Sequence, residues 1–411
     1  MRDFLSRKPC NDFDLTGKKA AALGKSFAHF LNFTCVPLDN TPHRQTMRII
    51  INQDQHLDFT DLQGRNIEED LSQRDFTINA MGQPLTSFLA GLKDIIDPYK
   101  GQEDLKNRKI RVLQGPIFQS DPLRILRAFR FAATLGFDIS EETLNKISHH
   151  KVIESAQERI WHELFLFFNA HNTTPLLDLL HNTGKLDCFF PTPNRNYQKI
   201  SAQYQRLEYL IQEPEKFFPE YADGWNANGF NDKAYLLKIS VLLKEENQLT
   251  GIESESAKTP PCGHNWNLRA SNAETRFIEQ TLNGALYLAK INAKQSRDLD
   301  EIYEWVNIYH EELLASVFLF FSGFQSKDSE ATLFCDQILN FYFRQYLPTM
   351  NKKPLLNGED IISQFGISPS PFFGKILHCV QKAHVLGNIA THDEALALAG
   401  ELIQSQSTEP E

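Results

Sequence analysis

Little in this sequence points to a specialised environment. The 411 residues include six cysteines, Cys10, Cys35, Cys188, Cys262, Cys335 and Cys379, all far apart, and none form a C-x-x-C pair. That spacing argues against a zinc site or a disulfide framework, and reduced thiols in a cytoplasmic protein are the simplest account. No apolar run approaches the roughly 20 residues that cross a bilayer, so no membrane partner is expected. The start, Met1-Arg2-Asp3-Phe4-Leu5, lacks the apolar core of a signal peptide. Positive charge is in deficit too. Lys and Arg number 42 against 52 Asp and Glu, a net charge of −10, which disfavours a surface that coats nucleic acid throughout. No internal repeat is visible, and no obligate protein partner is indicated.

What is present is the composition of an ordinary globular protein, 41% hydrophobic and 23% charged. The length exceeds one compact core and implies two to four domains. Charge is uneven: from Lys100 to Arg130 eight basic residues stand against Glu103, Asp104 and Asp121. An acidic chain can bind RNA through one such stripe.

Residues 1–115 mix strand and helix signals. Phe13-Asp14-Leu15 reads as a short strand and Ala20–Leu31 as a helix. Met47–Ile51 and His56–Thr60 read as strands, and the polar Asn52-Gln53-Asp54-Gln55 between them predicts an antiparallel hairpin. From Ser120 onward nearly every periodic segment is helical. Ser120 is the expected N-cap of a helix with Pro122 in its first turn and Gly136 at its end. A second helix fits Ile153–Asn169. The polar stretch 244–265 reads as a linker. Helices resume over Asn272–Tyr346, another spans Phe373–Leu386, and the tail after Gln404 is expected to fray. The layout is a mixed strand-and-helix head followed by a long all-helical arm.

Asp12-Phe13-Asp14 sets two carboxylates at i and i+2, which a strand turns to one face. They could share a Mg²⁺ through hard oxygen ligands. Asp58 sits among apolar strand residues, where an unpaired carboxylate is costly; Asp61 is the neighbouring alternative. Three acids on adjacent strands suit two-metal phosphoryl transfer. A lone D-x-D is more often a solvated loop, and Asp58 alone reads equally as a charge guarding an edge strand.

Longer strings decide between these readings. Arg2-Asp3-Phe4-Leu5 with Asp12-Phe13-Asp14 resembles the GG-x-VRD-x-LLG…D-x-D motif of class II tRNA nucleotidyltransferases and bacterial poly(A) polymerases. Arg74-Asp75-Phe76-Thr77-Ile78-Asn79-Ala80 is similar to that family's RRDFTINA motif. Ile96-Asp97-Pro98-Tyr99-Lys100-Gly101 with Asp104-Leu105 resembles its IDP-x-x-G-x-x-DL element, and Asp121–Phe131 its EDPLR-x-LRA-x-RF helix. Glu158-Arg159-Ile160 with Glu163-Leu164 resembles the next motif, and Gly387–Thr391 with Glu394-Ala395-Leu396 the family's tail. The resemblance is dense up to Leu164 and thin between residues 190 and 350.

The resemblance implies an α+β fold: a polymerase β-like nucleotidyltransferase head with a mixed sheet (1–115), a helical neck carrying the base-template helix (116–170), a helical body (171–265) and a helical, tRNA-binding tail (266–411). It implies two Mg²⁺ ions, held by Asp12 and Asp14 with Asp58 as third catalytic acid. Arg2 and Asp3 fall near the triphosphate; Arg74, Asp75 and Asn79 fall around ribose and triphosphate. Asp121 and Arg124 match the protein template for the incoming base. A carboxylate can accept from an exocyclic amine and a guanidinium can donate to a ring acceptor, an edge that CTP and ATP present and UTP and GTP do not. The bland alternative is an i,i+3 surface pair. Arg127 and Arg130 are assigned to the nucleotide triphosphate or to RNA phosphate, with solvated helix charges as the equal alternative. Lys106, Arg108, Lys109 and Arg111 are candidates for the RNA backbone of the tRNA 3′ acceptor end, with a solvated charge run as the alternative for each.

Several departures shape the expected activity. The Gly-Gly dipeptide that lets backbone amides approach the triphosphate is missing, and Met1 stands where the motif has Val, as a misassigned start would leave it. Ser120 and Gln73 replace the family's Glu and Arg. The segment between Asp58 and Arg74 is shorter than in full CCA-adding enzymes and resembles enzymes that add only C-C or only A. No basic signature of poly(A) polymerases follows the D-x-D strand, and no His-Asp phosphohydrolase pair is visible. The expected function is template-independent addition of C, A or both to a tRNA 3′ end. Poly(A) synthesis is the near alternative, and a non-catalytic RNA-binding remnant the alternative of another class.

Overall fold

The computed structural model describes residues 1–42, 44–150, 155–191, 196–221, 230–244, 268–294, 298–325 and 329–406. The chain divides into two compact units, Met1–Pro191 with Asn267–Arg269, and Thr192–Trp266 with Ala270–Glu411.

The first unit opens on a single turn, α1 (Arg2–Leu5), and a four-stranded sheet. The strands are β1 (Asp12–Gly17), β2 (Thr34–Asp39), β3 (Thr46–Ile50) and β4 (His56–Asp61), in the spatial order β1-β4-β3-β2. The expected hairpin is β3–β4, antiparallel, and β1 lies parallel to β4. Helix α2 (Ala20–Leu31) crosses one face. Strand alternation explains why that face is apolar. Leu15, Ile49, Leu57 and Phe59 pack with Ala20 and Ala28 of α2, and Gly24 brings the helix close, since a Cβ there would stand 2.7 Å from the Phe59 Cβ. The alternate residues Asp12, Asp14, Arg48, His56 and Asp58 fall on the opposite face. Strand β2 was not anticipated. Pro37 removes a ladder donor and argues against a central strand, but β2 pairs only with β3, and an edge tolerates proline.

After β4 a turn through Gly64 (φ 101°) leads into α3 (Ile67–Ser72), capped by the Asn66 side chain. Short elements follow: α4 (Leu85–Leu89), α5 (Gly101–Lys106), β5 (Lys109–Ile110) and α6 (Ile117–Ser120). Gly101 is obligatory for packing, because a Cβ there would meet the Thr77 carbonyl at 2.2 Å. Helix α7 (Leu123–Leu135) ends at Gly136 in the left-handed region, as expected. Its start differs from expectation. Ser120 closes α6, and the Asp121 carboxylate accepts from the Leu123 amide at 3.2 Å in its place. Then come β6 (Asp138–Ile139), α8 (Glu141–His149), α9 (Gln157–Phe168) and α10 (Thr174–Asn182). The second expected helix is α9, which starts later than Ile153; residues 151–154 lie outside those described.

Helices are the regular elements of the second unit among its described residues. The helix Leu313–Phe321 is buried at every position and lies against Asn272–Ala293. Lys238 and Glu208 form a buried ion pair at 2.8 Å. The helices Gly358–Phe365, Pro371–Val385 and His392–Gln406 close around Ile361, Ile376, Val380, Ala395 and Ala399. The last helix runs to Gln406, past the expected fraying point. The predicted linker lies outside the described residues except for Lys244. No described helix is long and apolar enough to cross a membrane.

Candidate active site

An open cavity of about 2090 Å³ in the first unit gathers most of the expected site residues. Asp12 and Asp14 line it from β1; Arg74, Asp75 and Asn79 from the segment after α3; Asp121, Arg124, Arg127 and Arg130 from α7 and its approach; Arg2 and Asp3 from α1.

Asp12 and Asp14 are exposed, and Asp14 has no partner among the described residues. Asp12 lies 3.7 Å from the His56 Nδ1. That nitrogen and the Thr16 hydroxyl, on the same sheet face, are buried without hydrogen-bond partners. Two exposed carboxylates of one strand, beside orphaned polar atoms, fit a hard divalent cation. Asp58 differs from expectation. It is in register with Asp14, but both its oxygens are taken: Arg48 Nε donates to Oδ1 at 2.8 Å and Nη2 to Oδ2 at 2.7 Å. Asp58 does not line the cavity, and the described residues bring no three His, Cys, Asp or Glu side chains into a metal-holding group. Asp61, the alternative acid, accepts from the Ala21 amide at 3.0 Å and caps α2.

A chain of charged hydrogen bonds runs along the cavity wall. Arg2 forks onto Asp3 (both 2.9 Å) and donates to Asn79 Oδ1 at 2.8 Å. Asn79 Nδ2 donates to Asp75 at 2.9 Å. Arg127 donates twice to Asp75 Oδ2, at 2.9 and 2.7 Å, and once to Glu163 at 3.3 Å. Arg130 donates to Glu163 at 2.9 Å. The guanidinium carbons of Arg2, Arg127 and Arg130 stand 4.8, 5.3 and 3.6 Å from the Phe131 ring centre. Burial works against charge on Asp75, but Arg127, Asn79 and the Phe76 amide outweigh it and hold the carboxyl below its ordinary range. Burial likewise lowers the Arg130 pKa, against the pull of Glu163. Arg127 and Arg130 were expected to meet phosphate; here their guanidiniums are committed to internal carboxylates, and the two residues brace the site.

Asp121 and Arg124, expected from the sequence to read the base, stand apart from this chain of bonds. Asp121 precedes α7 in extended backbone (φ −151°) and does not share its helix with Arg124. Arg159 donates to Asp121 Oδ2 at 2.9 Å. Arg124 is held by backbone, donating to the Gln73 carbonyl at 2.9 Å. Burial lowers its pKa despite the nearby Asp75 and Asp121. Arg74 pairs with buried Asp70 at 3.3 Å.

Four basic candidates lie off the cavity. Lys106 and Arg108 are exposed. Lys109 pairs with Asp138 at 3.0 Å. Arg111 pairs with buried Asp104 at 3.1 Å, whose other donor is the Thr77 hydroxyl at 2.7 Å. Arg111 therefore has a structural task, locking the segment that carries Asp75 and Asn79 onto α5. Arg48, Phe131, Arg159 and Glu163 were not assigned to the site from sequence. Arg159 and Glu163 stood inside a recognised motif. Arg48 left one signal, a charge at a polar-face position of an otherwise apolar strand.

Carboxylates on a mixed sheet, facing a polar helix edge across one cavity, define a nucleotidyltransferase head. A family model described as "Poly A polymerase head domain" matches residues 1–111, and one described as tRNA nucleotidyltransferase domain 2 matches residues 267–399. The chain is 28% identical to the CC-adding tRNA nucleotidyltransferase of Geobacter sulfurreducens, over 100% of this chain and 91% of that one. It is 25% identical to the CC-adding tRNA nucleotidyltransferase of Synechocystis sp., over 85% and 79%. The structure of the Thermotoga maritima CCA-adding enzyme complexed with tRNA shares the fold, with a TM-score of 0.67 at 21% identity, covering 98% of this chain and 89% of that one. The chain belongs to the class II tRNA nucleotidyltransferase (CCA-adding) family, and it is an enzyme of the nucleotidyltransferase class.

Proposed function

We propose that this protein adds C-C to the 3′ end of tRNA without a nucleic-acid template. The observation that carries the proposal is one cavity lined both by the exposed carboxylates of β1 and by the Asp121–Arg124 edge. In the reaction the RNA 3′-hydroxyl oxygen attacks the α-phosphorus of CTP, the bond to the β-phosphate breaks, and pyrophosphate leaves with the negative charge. Asp12 and Asp14 would hold two Mg²⁺ ions, which lower the pKa of the attacking hydroxyl and neutralise the departing pyrophosphate. Asp121, oriented by Arg159, accepts from the exocyclic amine of the incoming base, and Arg124, fixed by the Gln73 carbonyl, donates to its ring acceptor. Arg74, Asn79 and the Arg2–Asp3 pair line the triphosphate end. Arg127 and Arg130 keep Asp75 and α7 in register. We assign 1–115 as the catalytic head, 116–170 as the neck, and 171–265 and 266–411 as the arm that holds tRNA, in the cytoplasm. Lys106 and Arg108 are the exposed cations offered to RNA phosphate.

Two features favour C-C over complete CCA. The connection from β4 to Arg74 is one turn and one short helix, and two relatives matched over 91% and 79% of their own length are named CC-adding, while one matched over 71% is named a CCA-adding enzyme. The test offers tRNA ending before CCA, ending in C-C, and complete, each with labelled CTP or ATP and Mg²⁺. Two C residues on the first substrate and nothing on the others is the expected result. A added to C-C makes the enzyme CCA- or A-adding, a long A tail makes it a poly(A) polymerase, and bound tRNA without incorporation makes it an RNA-binding protein.

A further inference from the structure

Asp58 stands where a third acidic metal ligand would, across from Asp14 in the sheet, yet it faces a guanidinium. Arg48 reaches it from β3, where the two residues are cross-strand partners, and closes a two-pronged fork of 2.8 and 2.7 Å. Both side chains are largely covered, 33% exposed for Arg48 and 14% for Asp58, whereas the Asp12 side chain is 71% exposed. A bidentate fork of this kind is geometrically selective and hard to displace from a covered position. With Arg48 present, the sheet face carries three carboxylates and one guanidinium, a net charge of minus two rather than minus three.

We propose that Arg48 is a positioning residue that sets the acidic ligand count of the metal centre at two, by holding Asp58 as a neutral pair and leaving Asp12 and Asp14 to face the cation. The inference rests on the reading of Asp12 and Asp14 as metal ligands given above. Its consequence is an order of events. A centre with two carboxylates binds divalent cation weakly by itself and completes its shell with triphosphate oxygens, as Mg²⁺ sites commonly do. Metal then arrives with the nucleotide rather than waiting for it.

The test measures Mn²⁺ uptake by the full chain, by electron paramagnetic resonance of the free ion, with α,β-methylene CTP present. The proteins are the native form, Asp14→Asn, Arg48→Met, Arg48→Lys and the double variant Arg48→Met/Asp58→Asn. Arg48→Met frees a third carboxylate and should tighten Mn²⁺ binding about tenfold. Arg48→Lys should return it toward native, because charge is restored. The double variant removes a neutral pair and should bind within about twofold of native. A double variant at least tenfold weaker than native would make Asp58 a ligand and overturn the proposal. So would Arg48→Met binding no tighter than native. If Arg48→Met does not fold, the double variant decides alone, since it leaves no unpaired charge. Native protein that takes up no Mn²⁺, or Asp14→Asn that takes it up undiminished, would instead overturn the metal reading of Asp12 and Asp14 itself.

Discussion

Asp14 and Arg124 illustrate how two side chains in one cavity are readied by opposite means. Asp14 is exposed and has no partner among the described residues. On the proposed function, replacing it by Asn removes a metal ligand and little else. We expect incorporation to fall roughly a thousandfold, about 4 kcal/mol of transition-state stabilisation, with an unchanged urea midpoint and far-ultraviolet circular dichroism. Arg124 is half-buried and tied to a carbonyl, so its direction is fixed in advance of the base contact we propose for it. Arg124→Ala should relax discrimination against UTP by about 10- to 100-fold, the 1–3 kcal/mol that a good base contact supplies, as read from CTP/UTP competition at fixed tRNA. Both residues were singled out from the sequence, because each sits in a motif whose chemistry needs that residue type, and the structure brings both to one cavity. Arg48 was not, because its partner Asp58 is ten residues away and only the hairpin register brings them together.

Helix α7 and the segment 73–81 are held as one piece by pairs that cross between them. Arg127 of α7 grips Asp75, and Glu163 of α9 grips Arg127 and Arg130 in turn. Asp75 is 6% exposed, so removing its charge strands Arg127 without its main partner. Asp75→Asn should cost about 3 kcal/mol, in line with breaking one side of a buried pair. The pH dependence has a definite sign. The folded-state pKa of Asp75 is depressed below the ordinary value of about 3.9, so its contribution is fully present above that value. It is lost as pH falls through the depressed folded value. Urea midpoints of native and Asp75→Asn protein should therefore differ most at pH 7 and converge on acidification below about pH 4. The helices themselves were readable from apolar spacing and from Gly136. The start of α7 was misread because Ser120 and Asp121 are both good caps, and the four-residue turn α6 uses the first.

At the scale of the molecule, both units close around apolar cores. The candidate metal ligands lie on an exposed strand rather than inside either core. A cation bound there at millimolar affinity would add well under about 1 kcal/mol to folding. Treatment with EDTA should therefore abolish incorporation and move the thermal midpoint by no more than about 2 °C; a collapse of the midpoint would mean a structural metal. The net charge of −10 sets a further boundary, since any grip on RNA phosphate has to come from local basic positions rather than the whole surface.

The sequence by itself determined the family, the β3–β4 hairpin, β1 and α2 of the head, the D-x-D pair and the order of the motifs. Each of these depends on neighbours within a few residues, where spacing and residue type carry the physics. Only tertiary structure decided which charges are spent and which are free. Arg111, Arg127 and Arg130 resemble Lys106 and Arg108 in a one-dimensional count, yet the first three meet buried carboxylates that lie 7, 52 and 33 residues away along the chain. Asp58 and Asp14 are alike as residues, and a guanidinium on the next strand makes them different. Electrostatics acts through space, so the partner that neutralises a charge is fixed by the fold and not by the interval that separates the two along the chain.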